Sequence, residues 1–190
     1  MASSSSYTLS NLARRLGAPQ HRLIHLCEKG VIVPEVSDAA GRGSSRSFSA
    51  MNYLEFAVAL RLRDMFVPVS ELRGIIHVLR EFSHHLERRP GEQSLPEELR
   101  KPNSPELRII LSDGKRLFFS LGQPGAAARL FGGVSLDQLE SSNDSDTKAA
   151  TISTRPFKSG APSSFGEPEG SEFTRLELSV NAVARSLQFD

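Results

Sequence analysis

Three residues, Gly17, Pro19 and Gly30, limit more than any others what this chain can fold into. Glycine enters the left-handed turn that closes a helix without steric cost, and proline suits a first helical turn, where a backbone N–H has no partner to lose. Between these breakers the apolar residues recur at helical spacing. Leu9, Leu12, Ala13 and Leu16 form one set, and Leu23, Leu26 and Cys27 form another. Thr8 stands where a cap would, three residues before Asn11. Two short helices joined by a tight glycine-containing turn read as a helix-turn-helix.

The next stretch, "VIVPEV" from Val31, is β-branched and predicts a strand, with Ser44 to Phe48 running back beside it. The tip between them belongs to "GRGSSRSFS", residues 41–49, which sets Arg42 and Arg46 among glycines and serines. Small residues let a backbone approach a partner closely, and a guanidinium matches the geometry of phosphate. This reads as a basic wing that lies on a nucleic-acid backbone. If Leu23, Leu26 and Cys27 face inward, then Gln20, His21, Arg22 and His25 face outward on the second helix, where they would meet base edges. Arg14 and Arg15, at the end of the first helix, would hold the backbone.

Beyond the wing, Met51, Leu54, Ala57, Val58, Leu60 and Leu62 trace a third helix to about Phe66, with Ser49 as its cap and Arg61 and Arg63 near its far end. Ser70 is the expected cap of a fourth helix through Leu72, Ile75, Ile76, Leu79 and Phe82. Four prolines in residues 90–105 predict a linker. "ELRIILSDGKRLFFSL" then sets two β-rich runs around Asp113-Gly114, a hairpin signal, and a short helix containing Ala126 to Leu130 is expected after it. Residues 141–171 are rich in Ser, Asp, Gly and Pro and predict disorder, and apolar character resumes from Phe173 as a strand running into a helix. That strand, around Leu176 to Val180, is expected to pair with the hairpin, whose own strands leave edges open.

The fold class is therefore α+β: a mostly helical winged helix-turn-helix domain followed by a small β-rich module. The expected divisions are a disordered tail at 1–6, the DNA-binding domain at 7–88, a linker at 89–105, the hairpin module at 106–140, a disordered segment at 141–171 and a strand and helix at 172–190. Charge follows this division. Net charge is +1 over 190 residues, but residues 1–90 carry +4 and residues 91–190 carry −3, which suits a front half that meets a polyanion.

Other functions find less support in the sequence. No apolar run approaches the roughly 18 residues that a membrane span needs, and the first residues form a serine-rich tail rather than a signal peptide. One cysteine, Cys27, cannot make an internal disulfide or a multi-cysteine metal site and reads as a small core residue. His77, His84 and His85 lack a thiol or carboxylate at ligand spacing, so no metal is expected. No serine, histidine or aspartate has a nucleophile signature around it, and "GQPG" and "FGGV" lack the lysine of a phosphate loop. The chain reads as a binding protein, not an enzyme.

The order helix-turn-helix, wing, two helices resembles the DNA-binding domain of MerR-type transcription regulators. The residues carrying the resemblance are "YTLSNLARRLG" from Tyr7, "CEKGVIVPE" from Cys27, "GRGSSRSFS" from Gly41 and "ALRLRDMFVPVSELRGI" from Ala59, about residues 7–82 in all. The resemblance implies a second helix in the major groove, phosphates gripped by the wing and first helix, and a dimer that reshapes a promoter for RNA polymerase. This chain departs from the family at Ile24-His25-Leu26, at Arg46-Ser47-Phe48 and in lacking a long pairing helix, which leaves pairing to the rear module. The expectation is a sequence-specific transcription regulator of the cytoplasm and nucleoid. Its partners would be double-stranded DNA, RNA polymerase and a second copy of itself, with no cofactor and no small-molecule ligand. Two alternatives use the same scaffold: an architectural or recombination-directing DNA binder, and a protein-interaction adaptor.

Overall fold

The computed structural model describes residues 6–36, 46–87, 94–112, 116–122, 129–135 and 175–189. The chain is α+β and divides into two units, residues 1–101 with 182–190, and residues 102–181.

In the first unit, β1 (Tyr7–Thr8) leads into α1 (Leu9–Leu16) and α2 (Gln20–Glu28). Thr8 has extended backbone and its hydroxyl accepts the Asn11 N–H at 3.3 Å, so the expected cap starts α1. Gly17 closes it at φ 61°, donating to the Arg14 carbonyl, while Ala18 donates to that of Ala13. Pro19 caps α2 just outside its first turn, one position before the expected place. Gly30, at φ 65°, ends α2 with the same bond pattern, to Cys27 and, through Val31, to Leu26. Leu12, Leu23 and Leu26 are buried between the helices and the core, and Cys27 is half-buried.

The expected strand at residues 31–36 does not form. Val31 and Ile32 donate their N–H groups to the Leu26 carbonyl to close α2, and Pro34 has none to give. The Val33 carbonyl and Glu35 N–H are taken by the side chain of Asn52, at 3.0 and 2.9 Å. With its backbone groups satisfied this way, the segment has no call for a neighbouring strand. β2 (Ser47–Phe48) pairs instead with β1, antiparallel, setting Tyr7 opposite Phe48. The proposed hairpin tip at Arg42 lies outside the described residues.

α3 (Ala50–Asp64) begins at the expected cap: Ser49 Oγ accepts the Asn52 N–H, and Asn52 Oδ1 accepts the Ser49 N–H. Every residue from Met51 to Leu60 is buried, so α3 is the central helix of this unit. Tyr53 packs against Tyr7 at 5.5 Å between ring centroids and against Phe189 at 5.2 Å, and Phe56 meets Phe48 at 5.3 Å. α4 (Val69–Glu87) starts one residue ahead of Ser70, which therefore sits in the first turn and does not cap it. Its inner face is Leu72, Ile75, Ile76 and Leu79. The stretch expected as a linker contains a helix, α5 (Leu95–Arg100), whose Leu95 and Leu99 are buried. Pro96 lies in its first turn, where proline starts a helix, and Glu97 and Glu98 beside it suit the positive end of the helix dipole.

The second unit is an antiparallel sheet ordered β5-β4-β3-β6. β3 (Glu106–Ser112) and β4 (Arg116–Gly122) form the expected hairpin, with Leu107 opposite Leu121 and Ile109 opposite Phe119. β6 (Arg175–Ser179) pairs with β3 of the hairpin, as expected for the strand around Leu176 to Val180, setting Leu178 opposite Ile109. β5 (Arg129–Ser135) overlaps the place where a helix containing Ala126 to Leu130 was expected. "RLFGGVS" holds two glycines that a helix tolerates poorly, and a sheet edge was open to it. The register slips at Leu117/Phe118, so Gly133 is left over as a bulge, a natural place for glycine. The expected disordered segment at 141–171 lies outside the described residues.

β6 runs directly into α6 (Val180–Ser186). Asn181, at its start, is buried and accepts the Leu107 N–H at 2.7 Å while donating to Ser104 Oγ and the Pro105 carbonyl.

Candidate nucleic-acid interface

The outward side of α2 is set by what its other side must bury. Leu23 and Leu26 are fully inside, so Gln20, His21 and His25 are exposed and Arg22 is half-exposed. His21, Arg22 and His25 line one open cavity of about 200 Å³, together with Leu26, Leu60, Arg63 and Val69. Gln20 is exposed on the same helix but does not line the cavity.

Arg63 is the functional candidate that helix periodicity alone did not single out. It joins this face because α3 ends beside α2, and its guanidinium is steadied by a 2.8 Å bond to the Val67 carbonyl. Arg22 donates to Asp64 at 2.9 Å, between two exposed side chains. Such a pair contributes little to stability, so Asp64 orients Arg22 more than it anchors the fold.

The two arginines of α1 separate. Arg14 is exposed in the last turn. Arg15 is half-buried, donates to Asn11 Oδ1 at 2.6 Å and to the Gln188 carbonyl, and lies 5.4 Å from the centre of the Tyr7 ring. Packing occupies Arg15, which leaves Arg14 the better placed of the two to meet a partner. Both line a second cavity, of about 610 Å³, with Ser186, Gln188 and Phe189. Arg46 is half-exposed just ahead of β2, and Arg42 lies outside the described residues.

A polar network centred on the buried Asn52 and Glu55 ties Val33 and Glu35 to Ser49. Asn52 Nδ2 donates to the Val33 carbonyl and, at 2.9 Å, to Glu55, while Ser49 Oγ bonds the Glu35 carboxylate. Glu55 is 0% exposed and takes both arms of Arg80, at 2.8 and 2.7 Å. Burial pushes the Glu55 carboxyl above its ordinary range, with Arg80 and Asn52 pulling it partly back. The clue to this network in the sequence is the pair Asn52 and Glu55, three apart in an otherwise apolar helix.

His77 and His84 are exposed on α4, and the described residues include no cluster of three His, Cys, Asp or Glu able to hold a metal. Among the described residues no helix is long and apolar enough to cross a membrane. No protein-family model matches this chain, and no curated protein matches it either.

Proposed function

We propose that this chain is a sequence-specific duplex-DNA-binding regulator of transcription, built on a winged helix-turn-helix. α2 enters the major groove, the segment between Glu35 and Arg46 serves as the wing, and a homodimer presents two such units to DNA and to RNA polymerase. The observation that carries this reading is the outward face of α2, where His21, Arg22 and His25 gather with Arg63 around one open cavity. Arginine and histidine edges on an exposed helix suit base readout and phosphate contact. The tethered ends of the segment carrying Arg42 add to the case, because a wing must be aimed as well as charged.

The test is selection of bound genomic fragments, followed by the double variant Arg42→Ala, Arg46→Ala. That variant is expected to weaken binding across all sequences, by on the order of tenfold or more between ~50 and ~200 mM salt, and to flatten the salt slope by about two contacts. Equal binding by variant and wild type would remove the wing from this reading. Binding that ignores salt would favour a protein-interaction adaptor.

A further inference from the structure

Three helices of the first unit end in the same backbone turn, and one of them ends on the wrong residue. α1 closes on Gly17 at φ 61° and α2 on Gly30 at φ 65°. α3 closes on Phe66, also at φ 65°. The bonds match: Phe66 donates to the Arg63 carbonyl at 3.0 Å and Val67 to that of Leu62 at 3.0 Å, as Gly30 and Val31 donate to Cys27 and Leu26. This left-handed position favours glycine, and a bulky side chain there is strained.

The strain brings no packing in exchange. Phe66 is 91% exposed, against 51% for Val33, the next most exposed of the large apolar residues described. A folding argument alone would place glycine here, as this chain does twice. Strain held at an exposed aromatic points to work outside the fold.

Its surroundings say what kind of partner. Phe66 lies in the short turn between α3 and α4, and Arg63 before that turn and Val69 after it line the α2 cavity with His21, Arg22 and His25. Arg61 is exposed one helical turn earlier. Arg22, Arg61 and Arg63 supply the cations on this side, and the carboxylate beside them, Asp64, is already engaged by Arg22. An exposed apolar ring on the turn that follows Arg61 and Arg63 fits a ligand that offers phosphates and flat apolar faces together. Duplex DNA does so, and apolar side chains wedge against its base steps.

We infer that Phe66 is a DNA-contacting residue, an apolar wedge at the α3–α4 corner that meets a base step or sugar beside the site of α2. The inference rests on the proposed function and adds to it a contact that carries no charge. The strained turn projects the ring outward, and the α2 face supplies the phosphate grip next to it.

Full-length wild type, Phe66→Gly and Phe66→Trp should be titrated against a fluorescein-labelled mixed-sequence duplex at ~50 and ~200 mM salt. Phe66→Gly is expected to lose about tenfold in affinity, the size of one stacked aromatic contact, with the salt slope unchanged. Phe66→Trp keeps the affinity. The melting midpoint of Phe66→Gly should rise by about 1–3 °C, as relief of a strained position predicts, so the loss of binding cannot come from unfolding. If the wild type binds with a steep salt slope and Phe66→Gly binds equally well, the wedge is wrong and DNA binding stands. If the wild type shows no salt-dependent binding, the DNA reading falls and takes the wedge with it. A drop from dimer to monomer in light scattering of Phe66→Gly would place the ring on a second copy of the chain and overturn the DNA contact.

Discussion

Replacing Arg80 with methionine is expected to destabilise the chain by about 3–5 kcal/mol, because it leaves the Glu55 carboxylate buried without its cation. The methylene stem of arginine is largely reproduced by methionine, so the loss reports the charge more than the volume. The effect depends on pH in a defined direction. The folded state already raises Glu55 above its ordinary value of 4.5 by burial, and removing Arg80 raises it further. A carboxyl whose pKa is higher folded than unfolded binds its proton more tightly in the folded state. Its contribution is therefore fully present below the unfolded value and is lost as pH rises through the folded one. The variant should be closest to wild type in mild acid and fall furthest behind near neutrality. Urea unfolding at a series of pH values checks both magnitude and sign. The double variant Glu55→Leu, Arg80→Met should recover most of the loss, since removing both members of a buried pair is far milder than removing one. An Arg80→Met chain with unchanged stability at neutral pH would mean that water reaches Glu55 and that the network does not hold the segment ends.

That network also links stability to the proposed function. Asn52 bonds Glu55 and at the same time holds Val33 and Glu35, so disturbing the ion pair should loosen the stem of the proposed wing. At temperatures where Arg80→Met is still folded, its affinity for DNA should fall as well.

The second large effect is expected at Asn181. Alanine there removes the acceptor of the Leu107 N–H and the donor to Ser104 Oγ and the Pro105 carbonyl, all in a buried site. Stranding buried backbone groups costs about 1–3 kcal/mol each, so a total of about 2–4 kcal/mol is expected. The loss should be local as well as global. The Leu107 amide lies second in β3, and its hydrogen exchange should accelerate more than that of Ile109 in mid-strand. If Leu107 exchanges as slowly in Asn181→Ala as in the wild type, the amide does not depend on that side chain.

Much of the fold was legible wherever the controlling interaction is short-range in sequence. Gly17 and Gly30 end helices because their own φ is positive, Thr8 and Ser49 cap helices through residues three positions on, and the hairpin forms from adjoining runs. The outward face of α2 was legible for the same reason, since 3.6-residue periodicity separates Leu23 and Leu26 from His21, Arg22 and His25.

What failed to show in the sequence was the choice among distant partners. "VIVPEV" has strand propensity, but Asn52 from α3 takes its backbone groups and leaves β2 to pair with Tyr7 and Thr8. "RLFGGVS" becomes a strand because β4 offers an edge, and Leu95 and Leu99 make a helix of a proline-rich stretch because they find a core to enter. Arg14 and Arg15 are neighbours in sequence, yet Tyr7 and Gln188 engage only the second. The local order of residues by itself determined the two short helices α1 and α2, the β3–β4 hairpin and a basic front half. Tertiary structure decided which backbone groups pair and which arginines stay outward, because hydrogen bonds and burial are satisfied by whichever group the packed chain brings within reach, however far away it lies in sequence.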